Sequence, residues 1–218
     1  MAKHLTKKQR EAQIAGLYSK KVTRKEGSRE LIYSYLIVCE GTKSEPNYLS
    51  HFVSRRSKVI GADRSTMKIV EETLRRRDLG TYDQVWLVFD KDDNEDFNEA
   101  ILAAKKNNFE VAWSNESFEL WLCLHFIDLK SAVCRSQYIE ILEREIRKYN
   151  PSFIYDKGAD VMYDLLSAYG DENAAKRRAS ELRSQYQGQD YSSHNPCTMV
   201  DLLIDRLESN GTNTLAKG

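Results

Sequence analysis

The chain has 218 residues, of which 41% are apolar and 30% are charged, and its 33 basic residues balance its 33 acidic ones. This composition is that of an ordinary globular protein with room for one α/β domain and a small helical appendage, and it excludes a disordered chain. No apolar run approaches the roughly 20 residues that cross a bilayer, so we expect no membrane span.

Residues 1–33 lack a sustained periodicity and are expected to form a basic N-terminal arm. Residues 1–30 hold nine Lys or Arg against three Glu. This charge is either a solvated face or a set of phosphate contacts. The start has no apolar segment typical of a secretory signal, and the four scattered cysteines contain no C-x-x-C pair. We therefore expect a cytoplasmic protein with reduced thiols and no zinc site.

The first predicted strand is Tyr35–Cys39, a short apolar run. Residues 42–45 have the pattern of a capping box, which predicts a helix from Thr42 to about Arg56. A short strand at Lys58–Ile60 and a helix over Thr66–Arg77 follow. These elements begin a β-α alternation.

The clearest predicted strand is Val85–Phe89, followed by the acidic run Asp90–Asp93. A helix from about Glu95 to Asn107, a strand at Phe109–Trp113 and an apolar helix at Ser117–Leu129 come next. Continuous apolar strands alternating with helices predict an open, mainly parallel sheet covered by helices on both faces.

From Arg135 onward the pattern is helical, over about 135–149, 159–169, 171–187 and 198–208, and predicts no strand. Thr198 is expected to cap the last helix, with Asp201 at the matching third position. We therefore expect a core at 34–130 and a helical extension at 131–218 packed on it.

Acidic residues follow two of the predicted strands. Glu40 comes directly after the first, and Asp90 and Asp92 come after the third. Ligands of open parallel sheets bind beyond the carboxyl ends of the strands, so these side chains are expected at one edge. Three carboxylates suit Mg²⁺ or Mn²⁺, and like charges so placed repel unless a cation relieves them. Asp93 is either a fourth ligand or a helix cap.

Three neighbouring residues are candidates for substrate phosphate. Gly41 has no Cβ, so its backbone can approach a phosphate closely. Lys43 and Lys91 can balance the charge there.

The helix at Ser117–Leu129 is apolar on all sides and is expected to be buried, so its polar residues need partners. Glu119 is either a further carboxylate of the metal site or half of a buried ion pair with an Arg. His125 is either an acid or substrate contact, or a core histidine with satisfied hydrogen bonds.

Three segments resemble the ordered motifs of the RloB family. They are Leu36-Ile-Val-Cys-Glu-Gly-Thr-Lys-Ser-Glu-Pro-Asn-Tyr48, Val88-Phe-Asp-Lys-Asp-Asp93 and Ser114-Asn-Glu-Ser-Phe-Glu-Leu-Trp-Leu-Cys-Leu-His-Phe126. The resemblance runs from about residue 30 to 208. Ser44 stands where the family usually has Thr, and Glu116-Ser117 replaces its usual Pro-Cys.

The resemblance implies a Toprim-like domain, the metal-dependent phosphoryl-transfer fold of topoisomerases, primases and some nucleases. By this resemblance Glu40 matches the general base or acid, and Asp90 and Asp92 match the metal-binding pair. The late Asn-Pro-x-Thr pattern also resembles the family and implies that Asn195 or His194 reaches the site. A role in bacterial anti-phage defence beside an ATPase partner is implied as well.

The expected function is therefore a Mg²⁺- or Mn²⁺-dependent nuclease acting on RNA, tRNA included, or on DNA, and a homo-oligomer is compatible with the sequence. One alternative is a non-catalytic module that binds a nucleotide or a partner ATPase. Another is a phosphatase with Asp90 as nucleophile, which leaves Glu40 without a role.

Overall fold

The structure is a computed structural model that describes residues 33–76 and 78–215, with side chains up to residue 209. The predicted basic arm lies outside the described residues except for Tyr33, and so does Arg77, the predicted end of a helix.

One five-stranded sheet organises the fold, with the strand order β2-β1-β3-β4-β5. β1 pairs in parallel with β2 and β3, and β3 pairs in parallel with β4. β5 pairs antiparallel with β4. The strands are β1 (Tyr35–Cys39), β2 (Lys58–Gly61), β3 (Gln84–Asp90), β4 (Glu110–Asn115) and β5 (Cys197–Thr198).

Eight α-helices are described: α1 (Ser44–Ser50), α2 (Thr66–Leu74), α3 (Phe97–Lys106), α4 (Glu119–Leu124), α5 (Arg135–Arg147), α6 (Met162–Tyr169), α7 (Glu172–Ser184) and α8 (Val200–Leu215). Short 3₁₀ turns occur at Leu79–Thr81 and Tyr191–Ser193. In this part of the chain we find no helix with the length and apolar character that a membrane crossing needs.

The two faces of the sheet bury separate cores, because successive side chains of a strand point to opposite faces. In β1, Tyr35, Ile37 and Cys39 join a core with residues of α1 and α4–α8. Leu36 and Val38 join the other core, which α2 and α3 cover. All five residues of β1 are buried, which explains why its sequence is continuously apolar. The prediction of a mainly parallel α/β sheet with helices on both faces is confirmed.

Two helices, α1 and α4, are about half as long in the structure as the sequence predicts. α1 ends at Ser50, whose hydroxyl donates to the Asn47 carbonyl at 2.7 Å and so competes with the helical pattern. α4 ends at Leu124, where other segments bond to the carbonyls of its last residue and of the residue after it. The Arg178 guanidinium donates to the Leu124 carbonyl, and the Asp171 amide donates to the His125 carbonyl.

The predicted absence of a strand after Arg135 is wrong, because Cys197 and Thr198 form β5. Two residues are too few to show a periodicity. The expected bond from the start of α8 to the Thr198 hydroxyl is present, but Asp201 does not complete the predicted capping pattern. The Thr198 hydroxyl bonds with that of Ser114 at 2.9 Å and accepts from the Val200 amide at 3.3 Å, while Asp201 pairs with Arg183.

Candidate acidic site at the carboxyl edge of the sheet

The carboxyl ends of β1, β3 and β4 bring the predicted acidic residues together. The Glu40 amide donates to the Val88 carbonyl at 2.8 Å, so the chain leaves β1 beside β3. The Glu40 Oε2 atom accepts from the Asp90 amide at 3.1 Å. The Asp92 residue follows in a left-handed turn with φ of 36°, a conformation that Asp tolerates. The juxtaposition expected from a parallel sheet is therefore present.

A further carboxylate at this edge, Glu45, was not expected from the sequence. It lies in the first turn of α1 and is buried. A Cβ added to Gly41 would collide with the Glu45 carboxylate, so the glycine lets this side chain lie where it does. The predicted capping box is wrong, because the N-cap residue of α1 is Lys43 and makes no side-chain cap bond. Because Glu45 fitted a capping pattern, its position at the sheet edge was not predicted from the sequence.

Glu119 joins Glu40, Glu45, Asp90 and Asp92 in one set of carboxylates, which we call the acidic group. It is buried at the start of α4. Its Oε1 atom accepts from the Tyr155 hydroxyl at 3.0 Å and pairs with the Lys157 ammonium at 3.4 Å. The ion pair foreseen for this residue is therefore made with a lysine and not with an arginine. Its Oε2 atom is buried and has no hydrogen-bond partner among the described residues. A buried carboxylate oxygen without a partner is costly, so a donor or a cation at this atom would stabilise the fold.

Burial and mutual repulsion disfavour the ionised form of three carboxyls in this group, those of Glu40, Glu45 and Asp90. Burial raises the pKa of Glu40, and Glu45 adds to the rise. Burial raises the pKa of Glu45 as well, with Glu119 contributing. The pKa of Asp90 is raised most strongly, by burial first and then by Glu45 and Glu119. For Glu119 the positive charge of Lys157 and hydrogen bonds outweigh burial, so its pKa is lowered. A cation would relieve this repulsion.

The main counter-charge at the edge is Arg135, the first residue of α5. One guanidinium nitrogen lies 2.7 Å from the Asp92 Oδ2 atom and the other lies 3.1 Å from the Asp90 Oδ2 atom. Sequence reasoning missed Arg135, because nothing in a single arginine at a helix start indicates its partner. Only packing of α5 against α4 and the sheet reveals the pair.

The donor set fits a hard divalent cation by its chemistry. Carboxylate oxygens are the ligands that Mg²⁺ and Mn²⁺ prefer, and Glu40, Asp90 and Asp92 supply them at one edge. In the described part of the chain, no group of three or more His, Cys, Asp or Glu side chains already stands at metal-binding spacing. Arg135 holds the two aspartates in the arrangement seen here.

Two predicted phosphate contacts and the optional ligand lie around this edge. The Lys91 ammonium donates to the Asp92 carbonyl at 3.0 Å. Lys43 is exposed, with its ammonium beside Gly158. Asp93 is exposed and does not cap α3, whose N-cap residue is Asp96. Capping no longer accounts for Asp93, and its role as a ligand stays a prediction.

A cavity of about 230 Å³ opens beside the acidic group. Lys43 and Lys157 line it together with Gly41 and two carboxylates, Glu45 and Asp63. The lysines and the glycine backbone are the groups there that a phosphate could contact.

The structure does not place His125 with the acidic group. It is buried, and its Nδ1 atom lies 3.1 Å from the Trp121 carbonyl. Burial lowers its pKa to about 4, so the ring is neutral at physiological pH. It lines a separate cavity of about 550 Å³, together with residues such as Tyr48 and Tyr163. These contacts are those of a core histidine.

Asn195 reaches the same edge as the acidic group, because β5 runs antiparallel to β4 and therefore begins where β4 ends. The Asn115 amide, at the end of β4, donates to the Ser192 carbonyl in the loop before β5. The Asn195 Oδ1 atom is buried without a hydrogen-bond partner among the described residues. His194 instead packs on Tyr186, with ring centroids 4.9 Å apart, and lies in the core.

Fold and site together define an α/β protein with an acidic centre at the carboxyl edge of a mainly parallel sheet. The model of the family described as RloB-like protein matches residues 35–207, which is most of the chain. The protein therefore belongs to the RloB-like family. Neither the curated proteins nor the solved structures contain a match to it.

Proposed function

We propose that this protein is a Mg²⁺- or Mn²⁺-dependent Toprim-type nuclease that hydrolyses phosphodiester bonds in RNA, tRNA included, or in DNA. The observation that carries the proposal is the group of carboxyls at the sheet edge. Three of them have raised pKa values, and the buried Glu119 Oε2 atom has no described hydrogen-bond partner. Such a group is costly unless a cation belongs to it.

The aspartates would hold the metal, with Asp90 and Asp92 as the first ligands and Asp93 as a further one. When bound, the cation supplies positive charge that stabilises the charge developing on the phosphate. Glu40 takes a proton from the attacking water or gives one to the leaving oxygen. Its raised pKa supports this role, because a carboxyl transfers protons best when its pKa lies near the working pH.

Substrate phosphates would be held beside this group. Lys43 and the Gly41 backbone line the neighbouring cavity, and Lys91 lies in the loop after β3. Asn195 offers an amide oxygen that has no hydrogen-bond partner among the described residues. Membership of the RloB-like family supports a cytoplasmic role in bacterial anti-phage defence, with an ATPase as partner.

A cleavage assay tests the proposal. Purified protein is incubated with Mg²⁺ or Mn²⁺ and labelled tRNA, single-stranded RNA or duplex DNA, with and without candidate partners. We expect cleavage that chelation abolishes and that Glu40→Gln and Asp90→Ala each reduce by at least about 100-fold, as for the loss of one catalytic group. Glu99→Gln, an exposed change on α3, is the matched control and should retain activity. Cleavage that survives both active-site changes would come from a contaminant.

The second candidate is a non-catalytic module that binds a nucleotide or a partner ATPase. The observation in its favour is that Arg135 already pairs with both aspartates of the expected metal site. This candidate predicts metal-independent binding of a nucleotide or of the partner, without cleavage of any nucleic acid in the same assay.

A further inference from the structure

The position of Arg135 is fixed by its backbone. It begins a helix of 13 residues, and the preceding Cys134 amide donates to the Gln137 side-chain oxygen at 3.0 Å. A third of the Arg135 side chain is exposed. The guanidinium therefore stands at the mouth of the acidic group on a well-anchored helix start.

The side chain itself is held by its two carboxylate contacts. Both use the same kind of atom, Oδ2 of Asp90 and Oδ2 of Asp92. The third guanidinium nitrogen, Nε of Arg135, is buried and has no hydrogen-bond partner among the described residues. Loss of the two carboxylate bonds would leave the guanidinium free to take another anion.

Arg135 and a divalent cation would compete for the same oxygens. Arg135 brings one positive charge to a group of five carboxylates, Glu40 and Glu45 from the first motif, Asp90 and Asp92 from the second, and Glu119 from the third. A divalent cation brings two charges in a smaller volume, so it can neutralise Asp90 and Asp92 more fully.

A released guanidinium at this place is suited to a phosphate. Arginine presents planar donors that match phosphate oxygens. The first turn of a helix also favours an anion through its dipole. The Arg135 side chain can thus contact the two aspartates before a cation enters and a phosphate afterwards.

We propose that Arg135 holds Asp90 and Asp92 in the metal-free protein, leaves them when a cation binds, and then binds a phosphate of the nucleic acid. This inference depends on the proposed function, because it takes the two aspartates as metal ligands. No covalent step is involved.

A Mn²⁺ titration tests the first half. We expect Arg135→Gln to bind Mn²⁺ about tenfold more tightly than the unaltered protein, the size of one charge-assisted hydrogen bond. Arg144→Gln is the control for loss of a positive charge on the same helix, since Arg144 pairs with Glu145 and not with the aspartates, and it should change the affinity by less than about threefold at 0.15 M salt. Arg135→Lys keeps the positive charge but lacks the planar guanidinium. It tests the competition between residue 135 and the cation if the glutamine variant does not fold.

Binding of a labelled oligonucleotide in Ca²⁺ tests the second half. We expect Arg135→Gln to lose about tenfold in oligonucleotide affinity although it binds metal more tightly, and Arg135→Lys to lose less. Equal Mn²⁺ affinity in the unaltered and Arg135→Gln proteins would overturn this inference and leave the metal site standing. Unchanged oligonucleotide affinity would overturn it as well. If the unaltered protein and Arg135→Gln both fail to bind Mn²⁺, the inference and the metal site of the proposed function fail together.

Discussion

The buried ion pair between Arg183 of α7 and Asp201 of α8 offers a sharp test of the packing. Two guanidinium nitrogens contact the two carboxylate oxygens, at 2.5 and 2.7 Å. Only 3% of the Asp201 side chain and 18% of the Arg183 side chain are exposed. The same guanidinium donates to the Thr198 carbonyl at 3.1 Å and so ties β5 to α7.

Arg183→Met keeps most of the side-chain volume and removes the charge, leaving Asp201 buried without its cation. Breaking a buried pair in this way costs about 3–5 kcal/mol of unfolding free energy. For a domain of this size, each kcal/mol lowers Tm by about 2–4 °C, so the expected fall is about 6–20 °C. Thermal unfolding followed by circular dichroism measures it.

Arg75→Met is the matched control. Arg75 pairs with Glu71 at 3.4 Å, but 78% and 53% of the two side chains are exposed, so the pair contributes less than about 1 kcal/mol. We expect a fall in Tm below about 4 °C. Equal falls in Tm for the Arg75 and Arg183 variants would refute the idea that burial makes the Arg183–Asp201 pair important for stability.

The pH dependence of Arg183→Met gives a second check on the same reasoning. Burial already raises the pKa of Asp201, and Arg183 opposes the rise. Without the arginine the folded-state pKa should rise further above the unfolded value. Stability from a raised pKa is present below the unfolded value and is lost as the pH rises through the folded one. The deficit of Arg183→Met should therefore shrink on acidification towards pH 4.

Three further predictions concern the site and its surroundings. Glu45→Gln should stabilise the metal-free protein by about 0.5–2 kcal/mol at pH 8 and by nothing at low pH, because burial raises the pKa of this carboxyl. Denaturant unfolding in a chelator at both pH values measures the change in unfolding free energy. Gly61→Ala should cost about 1–3 kcal/mol, because the added Cβ would meet the backbone at Thr42, whereas Gly80→Ala meets nothing within 4 Å and should be neutral in the same assay. His125 should show no titration between pH 5 and 8 by NMR, since its pKa is lowered to about 4. The stability that it contributes is present above pH 6.5 and is lost on acidification towards pH 4. A titration midpoint near 6.5 would contradict its burial.

The sequence was sufficient to predict the sheet edge and its first carboxylates. Continuous apolar strands such as Tyr35–Cys39 mark a sheet buried on both faces, and the parallel arrangement then puts Glu40 beside Asp90. This inference works because it depends on strand direction alone. No long-range side-chain packing has to be known.

The residues that the sequence did not reveal are those whose role depends on tertiary packing. Arg135, Tyr155 and Lys157 lie on or after α5 and reach the acidic group only because the later helices pack beside α4. Glu45 was misread because a local capping pattern explained it. β5 escaped because two residues carry no periodic signal.

The charges of the acidic group are divided by position along the chain. Among the described residues its carboxylates come from residues 40–119, whereas the two cations that form ion pairs with them, Arg135 and Lys157, come later. During synthesis the acidic edge therefore emerges from the ribosome before these two counter-charges do. A nascent chain that ends before Arg135 should depend on dissolved cations to bring β1, β3 and α4 together, and the completed chain supplies two of its own.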